Sequence, residues 1–147
     1  MTSGADSAVH AIVDGGLDDA VALAVLIGLE VPLAQVIATE GSMDLATTAM
    51  TTRRLMTTLG SSVPVRLGTK EGLTSPYPTG RDPFHGPDCF GGHAGALDDA
   101  DTPAETFREL DGPVFCSGAL TVVAHGLNDG HPISEVVWMG GAVAVGG

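Results

Sequence analysis

The chain has 147 residues, 44% of them apolar, 16% charged and 4% aromatic, which suits one folded domain or part of one and not a disordered segment. Eighteen acidic residues against six basic ones give a formal net charge of −12. That balance argues against a nucleic-acid partner, because neutralising phosphates takes clustered Lys and Arg, and Lys70 is the only lysine.

No basic region followed by a long apolar run opens the chain. Its longest apolar stretch, Ala20–Leu29, is too short to span a bilayer. The expectation is a cytoplasmic protein with no membrane partner. Cys89 and Cys116 lie far apart without a CxxC spacing, so they are read as two reduced thiols and not as a disulfide or a zinc site.

In chain order, Val9–Val13 reads as a short buried strand ending at Asp14, and Gly15–Gly16 turns the chain. Asp18 and Asp19 sit where a helix starts, with Ala20–Leu29 as its body and Pro32 beyond its stop. Leu33–Thr39 reads as a second strand, followed by the turn Glu40-Gly41-Ser42. Leu45–Leu59 reads as a helix despite its threonines, Gly60 ends it, and Val63–Leu67 is a third strand. From Gly68 to about Asp101, Gly and Pro without periodicity predict a long loop. Pro103–Leu110 is expected to be a short helix capped by Thr102. Val114–Cys116 is read as a strand, Leu120–Leu127 as a helix and Ile133–Met139 as a last strand. Strands alternating with helices, each strand nearly continuously apolar, predict an α/β fold: a Rossmann-like parallel sheet with helices on both faces. In such sheets ligands bind beyond the carboxyl ends of the strands.

The most informative stretch is Ile12-Val-Asp-Gly-Gly-Leu-Asp-Asp-Ala-Val-Ala-Leu23. It sets Asp14 at a strand end and Asp18 and Asp19 at the next helix start, with glycines between that permit close backbone approach. Three converging carboxylates suit a hard, oxygen-seeking cation such as Ca²⁺ or Mg²⁺. The plainer alternative is that Asp18 and Asp19 cap a helix and Asp14 is solvated. Glu40 is expected to face solvent, as are Asp98, Asp99 and Asp101. Trp138, Met43, Met50 and Met56 are expected to pack in the core. His10, His93, His125 and His131 show no ligand spacing and read as structural or exposed.

This stretch resembles the signature Asp-x-Asp-Pro-Gly-x-Asp-Asp of the inosine–uridine-type nucleoside hydrolases. The similarity continues in order along the chain. Glu40-Gly-Ser42 stands at the family's Gly-Asn turn, and Phe84-His-Gly-Pro-Asp-Cys-Phe-Gly-Gly92 resembles its His-Gly loop. Ser117-Gly-Ala-Leu-Thr121 resembles its Gly-Pro-Leu-Thr-Asn turn, and Trp138-Met-Gly-Gly141 its Met-Gly-Gly strand end. The resemblance implies Ca²⁺-assisted hydrolysis of the N-glycosidic bond of ribonucleosides, a step of nucleoside catabolism and salvage. Asp14 would ligate the cation and act as general base. Asp19 and the Thr121 carbonyl would be further ligands. Asp18, Ser42, His85 and Met139 would contact the nucleoside. Homo-oligomers are implied for a complete chain.

Five positions depart from the family's pattern: Ile12 replaces the first Asp, Gly15 the Pro, Ser42 the Asn, and Ala119 and Val122 the Pro and Asn of the Gly-Pro-Leu-Thr-Asn turn. Loss of the Asp at position 12 removes a supporting hydrogen bond, and Gly15 is expected to loosen the loop. The family's sequence runs about as long again beyond Gly147, so residues 1–147 read as a partial domain, the first half of that fold. The alternative is an inactive remnant with at most weak metal binding. Such a chain should expose apolar surface and self-associate. A haloacid-dehalogenase-like phosphatase is the remaining alternative, disfavoured by Ile12, Gly16 and the single lysine.

Overall fold

The structure, a computed structural model, describes residues 7–74, 85–86, 88, 90–92 and 103–140. Eight elements run in the order β1 (Val9–Val13), α1 (Leu17–Gly28), β2 (Leu33–Ala38), α2 (Leu45–Thr58), β3 (Val65–Leu67), β4 (Pro113–Cys116), α3 (Thr121–Asn128) and β5 (Glu135–Trp138). The strands form one parallel sheet ordered β3-β2-β1-β4-β5. The chain builds outward from β1 to β3, then returns to lay β4 on the other side of β1. Strand order therefore reverses between β1 and β4, the position at which open parallel sheets bind ligands.

Side chains alternate across the sheet and divide the core in two. Ile12, Ile37, Val114 and Cys116 face α3 and pack with Val122 and Val123. Ala11, Val13 and Val36 face the other way and pack with Leu23 of α1 and Met56 of α2. Helices thus lie on both faces, as the alternation of elements predicts. Met43 and Met56 are buried core residues, as expected from sequence.

Helix α1 starts at Leu17, three residues before the predicted body, because the Asp19 side chain reaches back to the main chain ahead of it. Asp44 caps α2 by accepting from the Thr47 amide at 2.9 Å. Thr51, Thr57 and Thr58 satisfy their hydroxyls on carbonyls of the preceding turn, which is how a threonine-rich stretch stays helical.

Two expectations are corrected. Residues 103–110 form no helix. Their backbone runs beside the end of β3, with the Leu67 amide donating to the Glu105 carbonyl at 2.9 Å and the Phe107 amide to the Leu67 carbonyl at 2.8 Å. Donors that a helix would have used internally are spent on the sheet edge. Strand β5 is exposed at all four residues, so continuous apolar character did not signal burial there. Trp138, expected in the core, is 45% exposed. The Thr102 cap, Asp98, Asp99, Asp101, His93, Cys89 and most of the predicted 68–101 loop lie outside the described residues.

Candidate active site

Asp14 follows β1 and Ser117 follows β4, so the two flank the point where strand order reverses. Between them sits Asp19, third residue of α1 and 3% exposed. One of its carboxylate oxygens, Oδ2, accepts from the amides of Asp14 at 3.0 Å, Gly15 at 2.8 Å and Gly16 at 2.9 Å. The other, Oδ1, accepts from the Ser117 hydroxyl. Asp19 is a clasp: it fixes the loop at residues 14–16 and ties it to the turn after β4.

This clasp reverses the expectation of a looser loop at Gly15. Its φ of 94° is open to glycine and closed to proline, and its amide, which proline lacks, donates to Asp19. Ile12 is fully buried in the α3-side core. Ser117 ties the turn after β4 to β1, its amide donating to the Ile12 carbonyl at 3.0 Å.

Asp14 is held differently. The Ser42 hydroxyl donates to its Oδ1 at 3.2 Å, and the Thr48 hydroxyl donates to its main-chain carbonyl. The turn after β2 presses against it: a Cβ on Gly41 would lie 2.4 Å from Asp14 Oδ2, so only glycine fits. Burial, and next the neighbouring Asp19 charge, push the Asp14 carboxyl up to about 6, against the opposing pull of Ser42. Neither carboxylate is ion-paired to a Lys or Arg among the described residues.

The remaining expected residues take separate places. Asp18 is exposed, with its carboxyl against Gly16. The Leu17 amide donates to His85 Nδ1 at 3.1 Å, which brings His85 to the start of α1. Thr121 opens α3 and is buried. Met139 is 54% exposed just beyond β5, with its amide on the Cys116 carbonyl. Trp138 Nε1 donates to the Gly118 carbonyl in the turn after β4. Among the described residues, no three His, Cys, Asp or Glu side chains gather as a metal-ligating group, so Asp18 does not join Asp14 and Asp19 in one cluster.

Sequence reasoning missed two features. Glu40 is not solvent-facing but buried, and its Oε2 has no hydrogen-bond partner. Its position at a strand end was legible, and its burial depends on tertiary packing. Ser117 was noted only as part of a turn, yet it links Asp19 to β4.

The donor set can be tested against a hard cation. Two adjacent carboxylates, one destabilised as an anion by burial and by the other, match such an ion in charge and in donor chemistry. They supply two of the ligands such an ion takes, and the others would have to be carbonyls, water or ligand hydroxyls.

The family model for the inosine-uridine preferring nucleoside hydrolases matches residues 11–147. The chain belongs to this family. Among solved structures, it is similar to an inosine-uridine preferring nucleoside hydrolase from Bacillus anthracis, with a TM-score of 0.69 and 22% identity over 92% of this chain and 51% of that one. It is also similar to an inosine-guanosine nucleoside hydrolase, with a TM-score of 0.68 and 21% identity over 83% of this chain and 43% of that one. The chain thus spans about half the length of the solved relatives it matches. At these identities the likeness establishes a shared fold. No curated protein matches the chain.

Proposed function

We propose that this nucleoside hydrolase chain carries the catalytic carboxylate of an N-ribosyl hydrolysis site, releasing free base and ribose from ribonucleosides. The observation that carries the reading is Asp14: a half-buried carboxylate beside Asp19 at the strand-order reversal, with its pKa raised to about 6. A base poised near neutral pH takes a proton from water efficiently and still releases it afterwards. Breaking the glycosidic C–N bond builds positive charge on the ribose, and the paired carboxylates stabilise it.

A divalent cation, with Ca²⁺ the best match to all-oxygen ligation, would be held by Asp14, Asp19 and the Thr121 carbonyl. When bound it supplies charge neutralisation and a more acidic water. Asp14 would accept the proton of the attacking water. Asp18, at the exposed start of α1, would accept a ribose hydroxyl, and Ser42, His85 and Met139 would border the nucleoside. The Asp19 clasp keeps residues 14–16 in place while charge develops, so the loop need not reorganise during the reaction.

A second reading has its own support. Both Asp19 oxygens are engaged by the protein, and no third ligating side chain joins the pair among the described residues. That arrangement also suits a catalytically silent member of the family with weak cation affinity. Calorimetric titration with Ca²⁺, alongside an assay of inosine and uridine hydrolysis, separates the two. The enzyme reading expects Ca²⁺ binding and turnover that both fall at least tenfold in Asp14→Asn. Binding without turnover would leave the silent member standing, and turnover untouched by Asp14→Asn would end the catalytic assignment.

A further inference from the structure

Gly118, in the turn after β4, packs directly against Asp14. A Cβ at that position would stand 3.0 Å from Asp14 Cβ, 3.3 Å from Thr39 Cγ2 and 3.4 Å from the Asp14 amide nitrogen, so the bare Gly118 main chain forms one flank of Asp14. Gly41, in the turn after β2, closes another. Residue 119 is alanine, which leaves φ free where a proline would fix it. The place of Gly118 is therefore set by contacts from outside the turn.

Two side chains supply them. Trp138 pairs with Cys116 in the β4–β5 register, so both stand on the same face of the sheet. Trp138 Nε1 donates to the Gly118 carbonyl at 3.1 Å, and Cys116 Sγ donates to the same oxygen at 3.3 Å. Burial pushes the Cys116 thiol up to about 12, so it keeps its proton and remains a donor at neutral pH. A carbonyl oxygen has two lone pairs, and here each has a donor. The indole is held in turn from behind: a Cβ on Gly140 would collide with three of its ring carbons, so the chain after β5 can lie against the ring only as glycine. Yet Trp138 is 45% exposed. Burial of apolar surface does not account for a half-exposed tryptophan whose one polar atom is committed to the main chain beside Asp14.

We propose that Trp138 is a positioning residue of the candidate site, its indole N–H pinning the Gly118 peptide and so holding that flank against Asp14. Its effect on turnover rests on the reading of Asp14 as the catalytic carboxylate; the pinning itself does not. The indole suits this duty because it donates without carrying charge, so it adds no cation beside the carboxylate pair. The same peptide leads into Leu120 and Thr121 at the start of α3, so the pin also fixes the Thr121 carbonyl assigned above to the cation.

Trp138→Phe keeps an aromatic ring against Gly140 and removes the donor. Hydrogen–deuterium exchange of the full chain at pH 7 is expected to show protection falling about five- to tenfold at residues 14–16 and 117–121, the size of one lost hydrogen bond, with α2 and β2 unchanged. Val137→Ala, on the same strand, removes no donor and should leave residues 14–16 at the parent's protection. The parent gives a second reading that needs no variant to fold. The chain has one tryptophan, so its indole N–H gives a single resonance, which should exchange at least about tenfold more slowly than free indole. An indole proton exchanging at the free rate overturns the proposal. So does unchanged protection at residues 14–16 in folded Trp138→Phe, or an equal fall there in Val137→Ala. In the hydrolysis of inosine or uridine, Trp138→Phe should lower kcat about tenfold with KM nearly constant. A parent without turnover ends the catalytic reading of Asp14 and leaves the pinning to the exchange data. A parent that turns over, with kcat unchanged in Trp138→Phe, overturns the positioning role.

Discussion

Removing the Asp19 carboxylate should cost stability far out of proportion to one surface-loop residue. In Asp19→Ala the amides of Asp14, Gly15 and Gly16 lose their shared acceptor, and the bonds from Gly15 and Gly16 are buried. A buried donor left unpaired costs about 1–3 kcal/mol, so two of them cost roughly 2–6 kcal/mol before relaxation. Relief of the repulsion on Asp14 returns about 1 kcal/mol. The net loss is about 1–5 kcal/mol, or a fall in Tm of roughly 3–20 °C for a chain of this size. Asp19→Asn keeps a neutral acceptor in the same place and should lose about half as much. Thermal melts followed by circular dichroism at pH 7 measure both. An Ala variant melting within about 2 °C of the parent would refute the clasp, as would an Asn variant melting below the Ala variant.

Three further outcomes rest on the same geometry. Because Asp14 is raised to about 6 in the folded chain, its contribution is fully present below its unfolded value of 3.8 and is lost as pH rises through about 6. Asp14→Asn should therefore stabilise the chain at pH 7 by roughly 1–2 kcal/mol and flatten this part of the profile, read by denaturant titration across pH; an unchanged profile would contradict it. Gly15→Pro, which installs the family's usual residue, should destabilise by about 3 kcal/mol or more, because φ is 94° there and the amide is bonded; a neutral effect in urea titrations would mean the loop has another conformation. Leu17, Val21, Val25 and Leu29 are exposed along one line of α1, and Val137 and Met139 are exposed at β5. Sedimentation at about 100 µM should show self-association, and a clean monomer there would count against an adhesive surface.

Sequence reading located the elements that local chemistry dictates. β1 and its flanking Asp14 match residue for residue, and β2 and α2 match to within one residue at each end. The apolar runs, the Asp44 cap and the glycine stops each encode these locally. The segment at residues 103–110 was misread because its few apolar residues suit one helical turn, while its donors were claimed by Leu67 and Gln35, distant in sequence. Glu40 and Trp138 were misplaced for a related reason: burial belongs to the assembled sheet and not to residue type. At the site, the positions of Asp14 and Asp19 were legible, but their division of labour was not. Two aspartates five residues apart look alike in sequence, and only the fold shows one spending its oxygens on the main chain and the other held beside Ser42 at a raised pKa.

The two borders of the sheet are unequal, and this limits how copies of the chain can join through their backbones. The β3 border is three residues long and is hemmed at Leu67 by Glu105 and Phe107. The β5 border has no neighbouring strand among the described residues. A further strand seeking the β3 border would find the Leu67 amide and carbonyl already taken, so backbone pairing of another chain with that border is blocked at its carboxyl end.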